Sequence, residues 1–162
     1  MNLILRDIYW NCICSSLIIP SRFRRFLYKM GGAKIGKGTF ICPNCFVGNN
    51  NLTIGNNVFI NYNVWFNTAG GINIGNNCNI AYDVKFVTSS HNIGSCERRA
   101  SGSNDKSIVV GDGTWIGAST VILPGVIIGK GCVIGAGSVV TKSCDDNCLY
   151  VGNPAKLVRK LL

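Results

Sequence analysis

The sequence predicts an all-β fold, a parallel β-helix in which three hexapeptides form each coil. From Ile35 onward an aliphatic or aromatic residue returns every six positions, commonly with glycine after it, and such a fixed period is typical of a solenoid. Extra residues interrupt the period after every third hexapeptide, at Thr53 and around Asn73, which gives the coil a triangular cross-section. Long helices are excluded here, because they need apolar spacing near 3.6 and each glycine costs a helix about 1 kcal/mol.

Residues 1–31 are predicted to form a helical cap, since each coil of a solenoid covers only its neighbours and the ends need covering. Leu3, Ile4 and Ile8 stand near helical spacing, the pattern breaks at Pro20, and it restarts over 22–30. One or two short helices fit this pattern. Because the segment is also basic, an amphipathic surface that rests on a membrane is the alternative interpretation.

The β-helix domain is predicted over 32–152, with two inward-facing positions in each hexapeptide. The residues that define the period are Ile35, Ile41, Val47, Ile54, Ile60, Phe66, Ile74, Ile80, Phe86, Val110, Ile116, Ile122, Ile128, Ile134 and Val140. Four places later, most units carry a small or β-branched residue: Thr39, Cys45, Val58, Val64, Cys78, Val84, Thr114, Thr120, Val126, Cys132, Ser138 and Cys144. The one long interruption predicts a protruding loop over 92–107.

The last element is a short tail over 153–162 that begins at Asn153-Pro154. Lys156, Arg159 and Lys160 stand at helical spacing there, and a short C-terminal helix is predicted.

Composition excludes several function classes. The chain has 162 residues, a formal charge of +9 and one histidine. A single histidine excludes zinc sites built from two or three imidazoles, and with them a zinc-dependent hydratase. The basic residues form no nucleic-acid module with interleaved aromatic residues, so the phosphates of a small ligand are the favoured partner and nucleic acid is not expected.

The nine cysteines are odd in number and show no disulfide framework, which favours a reducing cytoplasm. No signal peptide is predicted from the N-terminal residues. Cys42-Pro-Asn-Cys45 has the spacing of half of a redox or zinc site, yet the sequence offers no second pair of cysteines. Core packing is the better interpretation for Cys45, as it is for Cys78 and Cys132.

His91 is the candidate catalytic residue. It closes the third hexapeptide of its coil immediately before the long loop, where an imidazole has no packing role. A histidine can accept a proton at neutral pH, and a well-placed base contributes roughly 10² to 10⁴ in rate. Cys96 is close in sequence, so a Cys-His nucleophilic pair is the rival interpretation.

The hexapeptides, together with the run WIGASTVILPGVIIGKGCVIGAGSVVTKS and the later YVGNPAKLVRK, resemble the left-handed β-helix acetyltransferases, in their maltose, galactoside and polysaccharide O-acetyltransferase branch. The resemblance covers 32–160. It implies a left-handed coil and a homotrimer that binds acetyl-CoA in the clefts between neighbouring prisms, with no metal required. His91 matches the family's catalytic histidine, which deprotonates an acceptor hydroxyl for direct attack on the thioester.

The same resemblance assigns the other site residues. Asn61, in Asn61-Tyr62-Asn63, matches an asparagine that contacts the acceptor, and Trp115 would flank the acceptor or the thioester. Glu97 would orient the imidazole or bind the sugar. The residues implied for acetyl-CoA are Ala118, Ala136, Gly137, Thr141, Lys142 and Arg159.

The predicted function is acetyl-CoA-dependent O-acetylation of a sugar hydroxyl, in a surface polysaccharide or an oligosaccharide, by a cytoplasmic enzyme that could lie at the inner face of the membrane. One alternative is the same chemistry on a serine hydroxyl, an antibiotic hydroxyl or an amino sugar. The other is a β-helix scaffold without catalytic activity.

Overall fold

The three hexapeptides of each coil form the three faces of a triangular prism, a left-handed parallel β-helix. The computed structural model describes residues 3–162. Face A contains β1 (Lys34–Ile35), β4 (Leu52–Ile54), β7 (Ile72–Ile74), β12 (Ile108–Val110) and β15 (Ile127–Ile128). Face B contains β2 (Phe40–Ile41), β5 (Phe59–Ile60), β8 (Asn79–Ile80), β13 (Trp115–Ile116), β16 (Val133–Ile134), β18 (Cys148–Gly152) and β19 (Ala155–Lys160). Face C contains β3 (Phe46–Val47), β6 (Trp65–Asn67), β9 (Lys85–Val87), β14 (Val121–Ile122) and β17 (Val139–Val140).

The interior of the prism is occupied by the two inward positions that the period predicts. Every residue in both predicted sets is buried, from Ile35 in the first coil to Cys144 in the last. Equivalent side chains stack from coil to coil: the rings of Phe66 and Phe86, for example, lie parallel with centroids 5.3 Å apart. The core is therefore one continuous column, as the sequence predicts.

The N-terminal cap consists of α1 (Leu3–Asp7), a π-helical segment (Ile8–Cys14) and α2 (Ser21–Met30), which confirms the prediction of short helices. Trp10 stacks on Tyr28 inside the cap, with ring centroids 5.5 Å apart. None of the helices among residues 3–162 is long and apolar enough to cross a membrane.

Arg24 fastens α2 to the first coil. Its guanidinium is 1% exposed and donates to the backbone carbonyls of Cys14, Ser16, Ile19 and Ile41 at 2.6–2.9 Å. A buried charge is tolerated only when it is well hydrogen-bonded, and these carbonyls engage all three guanidinium nitrogens and four of their five N–H groups. The orientation of α2 on the prism is thereby fixed.

The C-terminal tail differs from the prediction. The predicted C-terminal helix is absent, and β19 instead forms an antiparallel hairpin with β18 through a turn at 153–154. The physical reason is that β18 ends the parallel face and presents unpaired backbone groups, which β19 covers. A helix of eight residues without such partners would be marginal in water.

The loop after His91 is also more regular than predicted. It holds an antiparallel hairpin of β10 (His91–Ile93) and β11 (Ala100–Ser103), closed by a turn in which Gly94 donates its N–H to the Arg99 carbonyl at 2.9 Å. Pairing satisfies backbone groups of a segment that leaves the prism.

Three edges join the faces, and we name them by the faces that meet there. Edge AB includes Asn56, Asn76 and Asp112, edge BC includes Asn61 and Ala118, and edge CA includes Thr68 and Thr141.

Edge AB is held by a ladder of side chains. The side-chain oxygen of Asn56 accepts the Lys37 N–H, that of Asn76 accepts the Asn56 N–H, and that of Asp112 accepts the Asn76 N–H, each at 2.7–2.8 Å. These hydrogen bonds hold the pKa of the Asp112 carboxyl below its ordinary value. The asparagines of this edge are therefore structural.

Candidate active site

A pocket opens on the outer surface of face B where one side chain in a row is short. Phe59, Asn79 and Trp115 are neighbours in register on three adjacent strands. The asparagine therefore lies between two aromatic residues that are two strand spacings, ~9.5 Å, apart. The pocket measures about 390 Å³ and is also lined by Asn61 and Ala81.

Trp115 is 56% exposed and lies on the outward side of β13. A large aromatic residue in that position contributes nothing to the core. The residue of β13 that packs in the core is Ile116, which is fully buried. Aromatic walls with a few polar groups between them are typical of small-molecule pockets. The structure thus brings Asn61 and Trp115 together in one pocket.

Asn61 stands at edge BC, directly after β5, and has a hydrogen-bond pattern unlike that of edge AB. Its Oδ1 accepts the N–H of the adjacent Tyr62 at 2.8 Å. Its Nδ2 has no hydrogen-bond partner among residues 3–162, so the amide keeps two donors for a ligand.

Edge BC continues from Asn61 toward the positions predicted for acetyl-CoA. The Gly137 N–H donates to the Ala118 carbonyl at 2.8 Å, so these residues and Ala136 stack in consecutive coils. A Cβ on Gly117 would lie 2.5 Å from the Ala136 nitrogen, whereas a Cβ on Gly137 would meet no atom within 4 Å. The edge is therefore tightly packed inside at Gly117 and open to solvent outside at Gly137.

An ion pair between Asp83 and Lys85 lies at edge BC, in the coil between that of Asn61 and that of Ala118. Lys85 Nζ lies 2.7 Å from Asp83 Oδ1, and the Ser119 hydroxyl donates to Asp83 Oδ2 at 3.1 Å. The hydrogen bond from Lys85 is the main reason that the pKa of Asp83 is below its ordinary value. Asp83 is consequently an anion at neutral pH with both oxygens engaged.

His91 lies beyond the opposite edge of face C, at the start of the hairpin. Its Nδ1 is 3.2 Å from the carbonyl oxygen of Gly102 on the paired strand. Because a carbonyl oxygen only accepts, this contact places the proton on Nδ1 and leaves the lone pair on Nε2. The ring is exposed, so Nε2 is available to take a proton from a bound hydroxyl.

The remaining predicted residues lie apart from the pocket. Glu97 is exposed in the hairpin turn, and the His91 ring donates its hydrogen bond to the Gly102 carbonyl rather than to this carboxylate. Thr141 and Lys142 follow β17 on edge CA, and Arg159 is exposed on β19 opposite Leu149.

One chain therefore carries two separate halves of the predicted site. Edge BC and face B hold Asn61, Trp115, Ala118, Ala136 and Gly137, and the CA side holds His91, Glu97, Thr141 and Lys142. Face C lies between them. Sequence reasoning missed Phe59 and Asn79, although both precede a period-defining isoleucine just as Trp115 does, so the repeat register could have identified them.

Thiol chemistry has little support in this geometry. Cys96 is exposed in the hairpin turn, and among the described residues no hydrogen bond joins it to His91. Burial raises the pKa of the Cys45 thiol to about 12, and that of Cys144 to about 12, which makes both unreactive core residues. Residues 3–162 contain no group of three or more potential metal ligands.

The coil repeat and the outward-facing pocket place the protein in the class of hexapeptide-repeat transferases. The family model described as bacterial transferase hexapeptide (six repeats) matches 107–142. The chain is 32% identical over 149 residues to the galactoside O-acetyltransferase of Lactococcus lactis, covering 91% of this chain and 72% of that protein. The chain therefore belongs to the family of hexapeptide-repeat acetyltransferases.

Solved structures agree with this assignment. A maltose O-acetyltransferase from Clostridium difficile superimposes with a TM-score of 0.89 and 31% identity, covering 99% of this chain and 88% of that one. A hexapeptide-repeat acetyltransferase from Vibrio cholerae, complexed with acetyl coenzyme A, gives a TM-score of 0.88 and 28% identity over 98% and 88% of the two chains. Curated putative acetyltransferases of Dictyostelium discoideum and Staphylococcus aureus are 41% and 43% identical over 111 residues, and the match spans only 58% and 56% of their lengths.

Proposed function

We propose that the protein is an acetyl-CoA-dependent O-acetyltransferase that transfers the acetyl group to a sugar hydroxyl, with His91 as the general base. The observation that carries this proposal is the His91 ring, whose Nδ1 is held by the Gly102 carbonyl and whose Nε2 is open to solvent. A base with a fixed tautomer at the rim of a protruding hairpin suits proton abstraction from an incoming alcohol.

The reaction needs no covalent enzyme intermediate. Nε2 of His91 takes the proton of the acceptor hydroxyl as its oxygen attacks the thioester carbonyl carbon. The carbon–sulfur bond of the tetrahedral intermediate then breaks, and the leaving thiolate receives the proton from the imidazolium. The products are the sugar ester and free coenzyme A. A backbone N–H along edge BC is suited to stabilise the oxyanion.

The pocket on face B is the proposed acceptor site. Phe59 and Trp115 supply apolar walls for the carbon faces of a sugar ring, and Asn61 and Asn79 supply amide donors and acceptors for its hydroxyls. A ring with hydroxyls on its rim and C–H groups on its faces matches both kinds of surface. This match favours a sugar over a small linear acceptor such as serine.

The stretch of edge BC around Ala118 and Gly137, where side chains are small, is the proposed path of the acyl donor. Ala118, Ala136 and Gly137 leave room for a pantetheine arm. Arg159 on face B, and Thr141 and Lys142 on edge CA of a neighbouring copy, would provide polar and cationic groups for the phosphates. A solved family member complexed with acetyl coenzyme A supports this donor.

A trimer would unite the two halves of the site. Edge BC with its pocket and the CA side with His91 lie on opposite sides of face C, so a cleft between two copies can place one half against the other. Nine free cysteines suit a reducing compartment, and a cytoplasmic location is proposed on that ground.

The test is release of free thiol from acetyl-CoA with a panel of acceptors: a galactoside, maltose, glucosamine, serine and an antibiotic alcohol. Release with the sugars that depends on His91 supports the proposal. Release only with glucosamine, serine or the antibiotic would show that the acceptor belongs to that class and is not a sugar hydroxyl. Calorimetry showing no coenzyme A binding would favour a non-catalytic scaffold.

A further inference from the structure

Two parallel stripes run along the outer side of α2. The apolar stripe contains Phe23, Phe26 and Met30, which are 49%, 53% and 66% exposed. The cationic stripe contains Arg22, Arg25 and Lys29, with the same spacing of three and then four residues. Residues at this spacing lie on one helical face, and Arg22 and Lys29 stand four and three residues from Phe26, which makes them its neighbours on the helix surface.

Both stripes line one cavity. It measures about 380 Å³ and is bordered by Arg22, Arg25, Phe26, Lys29 and Met30. Cationic heads and apolar side chains around a common space suit a ligand that is itself amphipathic, with an anionic head beside an apolar part.

The charge around α2 has no internal compensation. No acidic residue occurs between Asp7 and Asp83, while Lys34 and Lys37 add two exposed cations beside the helix. The side chains of Arg22, Arg25 and Lys29 make no hydrogen bond or ion pair with any residue of 3–162. An uncompensated basic surface of this kind attracts anionic partners over about a Debye length, ~8–10 Å in physiological salt.

The surface is also preformed. Arg24, on the opposite side of the helix, ties α2 to the first coil through its four carbonyl contacts, and Tyr28 is buried in the cap. Binding therefore requires no ordering of the helix backbone, which removes one cost of association.

We propose that this face of α2 docks the protein on the surface of an anionic lipid bilayer. Phe23, Phe26 and Met30 enter the interface between headgroups and acyl chains, and Arg22, Arg25 and Lys29 pair with lipid phosphates. A second copy docked through the same face would bring two uncompensated cationic stripes together. Nucleic acid would satisfy the cations, but it offers no apolar medium for Phe26 and Met30.

The experiment is co-sedimentation with vesicles of phosphatidylcholine alone and of phosphatidylcholine mixed with phosphatidylglycerol, without acyl donor or acceptor. It therefore gives a result that is independent of the proposed enzymatic activity. We expect binding to the mixed vesicles, weak binding to the neutral ones, and weakening with salt. The variant R22Q/R25Q/K29Q should bind about 100-fold more weakly, and F23S/F26S at least about 10-fold more weakly.

The matched control is K130Q/K156Q/K160Q, which removes the same charge from exposed residues far from α2. It should bind the mixed vesicles within about 3-fold of the unaltered chain, because only cations near the surface contribute. Circular dichroism and thermal unfolding verify that all variants fold. The proposal is overturned if the control loses as much binding as the α2 variants, if neutral vesicles bind equally well, or if F23S/F26S has no effect. It is also overturned if α2 mediates binding to a single-stranded oligonucleotide while the protein does not bind vesicles.

Discussion

Two edges of the same prism use asparagine in different ways. On edge AB, the side-chain oxygens of Asn56 and Asn76 accept backbone N–H groups of the preceding coil. On edge BC, Asn61 makes only a local bond to Tyr62 and contributes to the wall of a pocket with aromatic residues. The residue type is identical, and the hydrogen-bond partner distinguishes the structural asparagines from Asn61, for which we propose a role in acceptor binding.

This difference identifies the side of the molecule that is suited to ligands. The ladder along edge AB engages both ends of the Asn56 amide, because its Oδ1 accepts the Lys37 N–H and its Nδ2 donates to the Asn76 oxygen at 3.2 Å. Edge BC has no such ladder and instead combines small residues with open space. Variants of the two edges should accordingly affect different properties, activity on one side and stability on the other.

Among the variants that compare the two edges, the largest effect is expected on the wall of the face B pocket. Trp115→Ala should lower kcat/KM for the sugar acceptor by roughly 30- to 100-fold, since it removes most of one apolar wall. Steady-state kinetics with varied acceptor measures this. Ile127→Ala removes a similarly exposed side chain from face A and should leave kcat/KM within about 2-fold. Equal losses in the two variants would mean that face B has no special role.

A smaller effect is expected at Asn61. Asn61→Ala should lower kcat/KM for the acceptor by about 10-fold, the value of one neutral hydrogen bond in a partly dry pocket, and leave the thermal midpoint nearly unchanged. The two measurements are acceptor kinetics and thermal unfolding of the same preparation. A variant that loses stability while keeping its activity would place Asn61 among the structural asparagines.

Asn76 should behave in the opposite way. Asn76→Ala leaves the Asn56 N–H without its side-chain acceptor and should reduce the free energy of unfolding by about 1 kcal/mol. Acetyl transfer should be unchanged at temperatures where the variant is folded. Chemical denaturation and the thiol-release assay test the two halves of this prediction, and a loss of activity without a loss of stability would contradict it.

The smallest expected effect is a pH dependence at edge AB. The pKa of Asp112 is lowered in the folded chain, mainly because its carboxylate accepts the Asn76 N–H. Its contribution to stability is therefore present above the unfolded pKa, ~3.9, and is lost as the pH falls through the lower folded value.

Asp112→Asn keeps an oxygen acceptor without the charge, so its thermal midpoint should fall less between pH 6 and pH 3, by about a degree or two. Asp105→Asn, outside the ladder, is the matched control and should follow the unaltered chain. If the thermal midpoints of all three proteins fall equally with pH, the Asp112 carboxylate does not contribute to stability through this hydrogen bond.

The sequence predicts the interior of the prism well because period and burial have one cause. A residue that returns every six positions must face the axis of a three-sided coil, so each of the predicted inward residues, Phe66 and Thr120 among them, is buried. The prediction of a C-terminal helix was wrong because three cations at helical spacing stabilise a helix less than pairing with the open edge of β18 stabilises a strand. Pairing of β19 with β18 depends on the fold as a whole, which local spacing does not record.

The candidate site was predictable in part for the same reason. Asn61 and Trp115 were identified by resemblance, and the register that relates Phe59, Asn79 and Trp115 was already present in the sequence. The Gly102 carbonyl that holds His91 was not predictable, because the pairing register of the hairpin sets that contact. The separation of the two half-sites by face C likewise follows only from the three-dimensional path of the coil.

Acetyl transfer by His91→Ala is the most direct test of the proposed general-base mechanism. With acetyl-CoA and an accepted sugar, this variant should lose roughly 10² to 10⁴ in kcat while it still binds acetyl-CoA in calorimetry. Ile93→Ala, on the same hairpin strand and 88% exposed, should retain full turnover. If His91→Ala transfers acetyl groups as fast as the unaltered protein, His91 is not the base and the proposed mechanism is wrong.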